Sequence, residues 1–178
     1  AVSHAGLANF GHEEVRRSGV DEYSRVLGFA SPSFDASILE YLLSTVSGGV
    51  LVYRPSDAIG GPVLADYLTR QAVTHAFLTP TVLATLDPTV LPTLRAVYVG
   101  GEAVPATLVD QWALLRRVQA MYGPTAATVA VSMSSPMQPG QPVSMGGGIN
   151  GGGFVVLAHR MRPVPAGVSG DPYFLGQA

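Results

Sequence analysis

Charge is what this 178-residue chain has least of. Only 12% of its residues are charged, against about a quarter in an ordinary globular protein. Two readings stay open: part of the surface is covered by further polypeptide, or the chain is simply rich in Ala, Val and Leu. Net charge is −2 and there is no basic run, which argues against a nucleic-acid partner, since phosphate binding draws on clustered Lys and Arg. Cysteine is absent, so neither a disulfide framework nor a thiolate zinc site is available. The four histidines, His4, His12, His75 and His159, are scattered without a His-x-x-x-His pair, and no histidine-built metal site is expected. No apolar run is long enough to cross a bilayer, and Ala1-Val2-Ser3-His4 lacks the basic and apolar regions of a signal peptide. A cytoplasmic location without a membrane partner is the expectation.

What the chain does have is hydrophobic residues, at 47%, enough for one domain or large subdomain with a buried core. Ser3 is placed to cap a helix through Leu7, Phe10 and Val15. Ser24 to Ala30 reads as a strand. Asp35 starts a helix with Ile38, Leu39, Leu42 and Leu43 on its apolar face, ended by Gly48-Gly49, and Val50 to Tyr53 is the next strand. Pro62 suits the first turn of a helix through Leu64, Tyr67 and Leu68. Then come a strand at Thr74 to Leu78, a short helix at Pro80 to Leu86 and a strand at Leu94 to Val99. A helix at Pro105 to Leu115 carries Trp112, and a strand follows at Val118 to Tyr122. Strands separated by helices predict an α/β fold, a mostly parallel sheet flanked by helices. Beyond Tyr122 proline and glycine accumulate. Val129 to Met133, Gly153 to Leu157 and Tyr173 to Leu175 read as short strands, and Gly146 to Gly153 as a loop. The expected organisation is an α/β part over 1–133 and a Gly/Pro-rich, partial β part over 134–178. Glu13-Glu14 and Asp21-Glu22 fall in polar helix-end stretches and are expected in solvent.

Four stretches carry a family likeness. They are Val2-Ser3-His4-Ala5-Gly6-Leu7-Ala8-Asn9-Phe10, Phe29-Ala30-Ser31-Pro32-Ser33-Phe34-Asp35-Ala36-Ser37, Val99-Gly100-Gly101-Glu102-Ala103 and Met121-Tyr122-Gly123-Pro124-Thr125, with Arg162-Pro163-Val164-Pro165-Ala166-Gly167-Val168 after them. Together, and in this order, they resemble the adenylation domains of nonribosomal peptide synthetases, members of the adenylate-forming enzyme superfamily. The resemblance covers essentially the whole chain. It implies a chemistry in which an amino-acid carboxylate is joined to the α-phosphate of ATP. That needs a counter-charge for the ammonium, a slot for adenine, and cations at the phosphates.

By resemblance, Asp35 pairs with the α-amino group; on the sequence alone, capping of the next helix is the stronger reading. The side-chain pocket would be Asp35, Ala36, Leu39, Phe77, Tyr98, Gly100, Met121, Val129 and Ala130, mostly apolar and suited to a hydrophobic or aromatic side chain. Without the motifs these would read as ordinary core. The adenine slot would involve Gly101, Glu102, Tyr122, Gly123 and Thr125, although a Gly-Gly pair equally serves a tight strand-to-helix turn.

The chain also departs from the pattern. Ala126 stands where the family has a glutamate associated with magnesium, so that ligand position is lost. The family's phosphate-binding loop, expected just before Ala1, is not in the chain, nor is the small C-terminal domain with the catalytic lysine. Gly147, Ala158 and Pro172 stand where arginine, aspartate and a strand residue are expected. The expectation is a truncated, inactive adenylation domain without a cofactor of its own, ATP and magnesium belonging to the parent family. It would act as a scaffold beside condensation or carrier domains, with self-association through uncovered apolar faces. The alternatives are a fragment of a domain that selects and ATP-activates a hydrophobic or aromatic amino acid, and a module that binds the amino acid without ATP.

Overall fold

The computed structural model describes residues 4–176, so Ser3, the expected cap, lies outside the described residues. Helix α1 is His4–Ser18, with Arg16 and Arg17 in its last turn, where positive charge suits the helix dipole. Strand β1 (Arg25–Gly28) leads to helix α2 (Ala36–Ser47), whose C-cap Gly48 is left-handed at φ 76°. Then follow β2 (Val50–Tyr53), α3 (Gly61–Arg70), β3 (His75–Leu78), α4 (Pro80–Leu83), β4 (Ala96–Val99), α5 (Ala106–Ala113) and β5 (Arg117–Tyr122). The remaining strands are short or late in the chain: β6 (Ser132–Met133), β7 (Gly147–Gly148), β8 (Gly152–Ala158), β9 (Arg162–Pro163) and β10 (Asp171–Gly176).

Seven strands form one sheet in the order β2-β1-β3-β4-β5-β6-β7. The first five are parallel, and β6 and β7 are antiparallel additions. A second, antiparallel sheet has the order β10-β8-β9. The expected mostly parallel α/β sheet is therefore present, and it runs on past residue 133 to Gly148. Among the described residues no helix is long and apolar enough to cross a membrane.

Both faces of the parallel sheet are covered at its centre, so β1, β3, β4 and the middle of β5 are largely buried, while the edge strand β2 leaves Val50 and Tyr53 exposed. Strand β4 shows the division. Val97 and Val99 join a core with Leu64 and Leu68 of α3 and Leu108 and Trp112 of α5, while Ala96 and Tyr98 join a second core with Phe10 of α1 and Leu39 and Leu43 of α2. Successive side chains of a strand point to opposite faces, which is why one four-residue strand feeds both.

Several expectations change. Helix α2 buries Leu39, Glu40, Leu43 and Ser44, whereas Ile38 is 42% exposed, so the inward stripe is rotated from the one predicted. Helix α5 stops at Ala113, leaving Leu114 and Leu115 exposed. The strand expected from Val129 shrinks to Ser132–Met133, because Thr128 and Val129 adopt left-handed backbone at φ 56° and 67°. The glycine run is not all loop: Gly147–Gly148 is β7, and Gly152-Gly153 open β8. Here glycine answers close approach, since a Cβ on Gly148 would lie 2.9 Å from the Gly152 carbonyl oxygen and one on Gly152 would lie 2.6 Å from the Phe174 ring. Pro172 sits in β10, an edge strand, where a missing ladder donor is tolerated. Glu13 and Glu14 are not in solvent: they are 6% and 2% exposed.

Candidate functional site

Parallel α/β sheets place ligands beyond the carboxyl ends of their strands, where the loops diverge. A cavity of about 470 Å³ lies there, along the ends of β1 to β5. Arg54 follows β2, Phe29, Ala30 and Ser31 follow β1, and Leu78 and Thr79 come from the end of β3. Gly100 and Gly101 follow β4, and Met121 and Gly123 come from the end of β5. Phe34, Asp35, Ala36 and Leu39 close it from the start of α2, and Val129 and Ala130 from the loop before β6.

Of the nine pocket residues expected by resemblance, eight line this cavity: Asp35, Ala36, Leu39, Phe77, Gly100, Met121, Val129 and Ala130. Tyr98 does not. It points into the α1–α2 core one residue before the strand end, fully buried, with its hydroxyl donating to the Ser18 carbonyl at 3.1 Å and its ring stacked on His75. Burial pushes the Tyr98 hydroxyl up and holds His75 down at about 4, helped by the charges of Arg95 and Arg117. Of the five residues assigned to an adenine slot, Gly101 and Gly123 line the cavity and Glu102, Tyr122 and Thr125 do not. The Glu102 carboxylate instead accepts from the Thr81 N–H at 3.1 Å and from its hydroxyl.

Asp35 occupies the N-cap position of α2 with helical backbone (φ −63°, ψ −23°), and its side chain makes no capping hydrogen bond. Asp35 lines the cavity at the positive end of the helix dipole. Of the lining residues outside the expected sets, Arg54 is the charged one. Its guanidinium lies 4.5 Å above the Phe29 ring, Nε donates to the Phe29 carbonyl at 3.0 Å, and Nη1 donates to the Pro55 and Ser56 carbonyls. The signal for it was positional: it directly follows a strand of a parallel sheet.

The rest of the lining is mostly apolar. At one end Val129 keeps its left-handed conformation, rare and strained for a β-branched residue, in a turn where Ala130 N–H donates to Thr128 O at 2.8 Å. Gly101 (φ 79°) lines the cavity in a left-handed conformation that glycine adopts freely. At the neighbouring turn the side chain of Ala126 brings no oxygen, and Glu102 is already engaged by Thr81, so these residues do not fit a carboxylate-held magnesium ion.

Two features, neither of them in the cavity lining, tie the last turns of α1 to the sheet. Glu13 of α1 receives Arg16 at 2.8 Å, Arg17 at 3.0 Å and the Asn150 N–H at 3.2 Å. Arg17 also donates to the Gly148 carbonyl at 2.8 Å. The Arg16 hydrogen bond is the largest influence holding Glu13 at about 2, against an opposing effect of burial. Arg117 and Gln119 of β5 both donate to the Arg17 carbonyl, closing the end of α1.

The family model for AMP-binding enzymes matches residues 1–178. The chain is 44% identical over 179 residues to the synthetase CymA of Salinispora arenicola (strain CNS-205), covering 98% of this chain and 2% of CymA. It is 39% identical over 176 residues to Novobiocin biosynthesis protein H of Streptomyces niveus, covering 99% of this chain and 29% of that protein. The fold superposes with a TM-score of 0.89 on the crystal structure of holo-AB3403, a four-domain nonribosomal peptide synthetase bound to AMP and glycine, at 26% identity, covering 99% of this chain and 14% of that one. The chain thus spans a minor part of the length of these relatives. With the family match running from end to end, it belongs to the AMP-binding enzyme family, as an adenylation-domain segment of the nonribosomal peptide synthetase kind.

Proposed function

We propose that the cavity is the amino-acid site of an adenylation domain and takes an amino acid with a hydrophobic or aromatic side chain. The observation that carries this reading is Asp35: an acidic residue whose side chain makes no cap bond to its helix and which lines a mostly apolar cavity, Arg54 being the other charged residue there. Within it Asp35 supplies the counter-charge for the ammonium, and Leu39, Phe77 and Met121 exclude water around the side chain. Gly101 and Gly123 would face the adenylate. ATP, when bound, supplies the α-phosphate that the substrate carboxylate attacks. The residues around Ala126 do not fit magnesium. Residues 1–133 would be an α/β subdomain of an adenylation-domain core and 134–178 a Gly/Pro-rich partial β segment whose Gly147–Gly148 strand still joins the main sheet, with the protein in the cytoplasm.

Calorimetry tests this. The 178-residue chain should bind L-phenylalanine or L-leucine, and Asp35→Asn, which keeps a competent cap residue, should weaken binding at least about tenfold. Absence of binding, or an unchanged affinity in Asp35→Asn, refutes it.

One observation favours a second reading. Ala126 removes a side-chain oxygen from within a motif, as expected of a domain retained as a scaffold beside condensation or carrier domains, or associating with itself. Amino-acid-dependent exchange of pyrophosphate into ATP by this chain would overturn the scaffold reading.

A further inference from the structure

Two carboxyl groups stand behind the cavity wall, outside the set that lines it. Glu40 comes from α2 and Glu14 from α1, helices packed against each other on one face of the sheet. The two residues are 1% and 2% exposed. Glu40 reaches back to the end of β1, where both its oxygens lie 3.1 Å from the Ala30 N–H. The Phe29 N–H and the Arg54 guanidinium act on the same carboxyl. Phe29, Ala30 and Ser31 are cavity wall, and the chain running on from them carries Asp35. Glu40 therefore fixes the near end of the loop from which Asp35 is presented.

Glu14 is different in kind. Neither of its oxygens has a protein hydrogen-bond partner. A buried carboxylate without donors is strongly disfavoured, so Glu14 keeps its proton. We infer that Glu40 is a positioning residue for the loop that carries Asp35, and that Glu14, beside it, sets the alkaline limit over which that positioning holds. This rests on reading the cavity as the amino-acid site.

The order of ionisation follows from the surroundings. Burial raises Glu40 to about 7, opposed by the Ala30 and Phe29 N–H groups and by Arg54. Burial, and then the charge of Glu40, raise Glu14 well above the carboxylate range. Glu40 ionises first, with Glu14 still neutral. Its carboxylate is then the stronger acceptor for the Ala30 N–H, and the loop tightens. At higher pH Glu14 is forced to ionise as well, which puts two like charges in one apolar core and drives α1 from α2. The other groups facing the pair are Tyr98 of β4, whose hydroxyl feels Glu14, and Arg54 beyond β2. His75 of β3 stacks behind Tyr98 and answers to Arg95, Asp21 and Arg117.

The test follows the Ala30 amide by NMR in the labelled 178-residue chain from pH 5 to 9, with L-phenylalanine affinity measured by calorimetry at each pH. The Ala30 amide should titrate with a midpoint near 7. Affinity should rise roughly fivefold through that midpoint and fall again at higher pH. Glu40→Gln should abolish the rise and the amide titration. Glu14→Leu should keep the rise and make the alkaline fall smaller than in wild type, the remainder being the loss of the ligand's own ammonium charge. An Ala30 amide that does not titrate, or that titrates in Glu40→Gln, overturns the inference, as does an alkaline fall as large in Glu14→Leu as in wild type. If the amide behaves as expected and no amino acid binds, the positioning role stands and the amino-acid reading of the cavity fails.

Discussion

Replacing Glu13 by glutamine separates a structural carboxylate from a solvated one, because the two alternatives differ in size and in pH dependence. Glu13 falls from 4.5 to about 2 on folding, about 2.5 pH units, which corresponds to about 3.4 kcal/mol as an upper figure. Part of that comes from Arg16, whose side chain is 63% exposed, so water screens its share to at most about 1 kcal/mol. The Arg17 contact, at 22% exposure, and the Asn150 N–H are better shielded. Glutamine keeps one acceptor and loses the charge. The expected loss is about 2 kcal/mol at pH 7. The sign follows from a lowered pKa: this stability is fully present above 4.5 and is lost as pH falls through about 2. Urea unfolding of wild type and Glu13→Gln, compared at a series of pH values, cancels titrations common to both. A difference below about 0.5 kcal/mol at pH 7 would refute the reasoning, as would one that does not shrink toward pH 2.

Glu40→Gln should gain stability relative to wild type as pH rises from 4.5 to about 7, by about 3 kcal/mol. A raised carboxyl contributes stability below its unfolded value and loses it through its folded one. Wild type alone should look flatter over that range, because His75, lowered from 6.5 to about 4, contributes stability that is lost as pH falls; the urea-unfolding difference between the two proteins isolates Glu40. Tyr98→Phe should cost about 1 kcal/mol of stability through the lost bond to Ser18, and leave L-phenylalanine affinity within about twofold by calorimetry. A tenfold change in affinity would mean that Tyr98 does line the cavity.

The parallel half of the fold was legible because each element carries its own punctuation. Val50 to Tyr53 was expected as a strand and is one to the residue, bounded by Gly48-Gly49 and by Arg54-Pro55. Pro62 lies in the first turn of α3, as a residue without an N–H should. Legibility fails where backbone conformation depends on distant contacts. Nothing local to Thr128-Val129 announces left-handed backbone, and both are β-branched residues that favour strands. Gly147-Gly148 looks like a loop until Ser132 and Met133 are placed beside it, because a ladder partner some fifteen residues away turns permissive backbone into strand.

The site divides along the same line. Eight residues of the cavity were reachable because motifs sit at strand ends and strand ends converge, so position in sequence stands in for position in space. Tyr98 broke that equivalence: it is packed in the core with Phe10, Leu39 and Leu43, although its register partner Phe77, also one residue before a strand end, lines the cavity. Glu13, Glu14 and Glu40 broke it in the opposite direction. A carboxylate on a helix is expected in water, and only the partner surface reveals otherwise: Arg17 and Asn150 for Glu13, the Ala30 N–H for Glu40, nothing for Glu14. Sequence pattern finds groups that meet a ligand through shared topology. It does not find groups that hold the wall from behind, because their role is defined by a second helix, α1, that touches the cavity nowhere among the described residues. A consequence can be checked on the relatives' own terms: a protein with the same strand-end motifs and an apolar residue in place of Glu14 should keep the cavity and lose the alkaline limit.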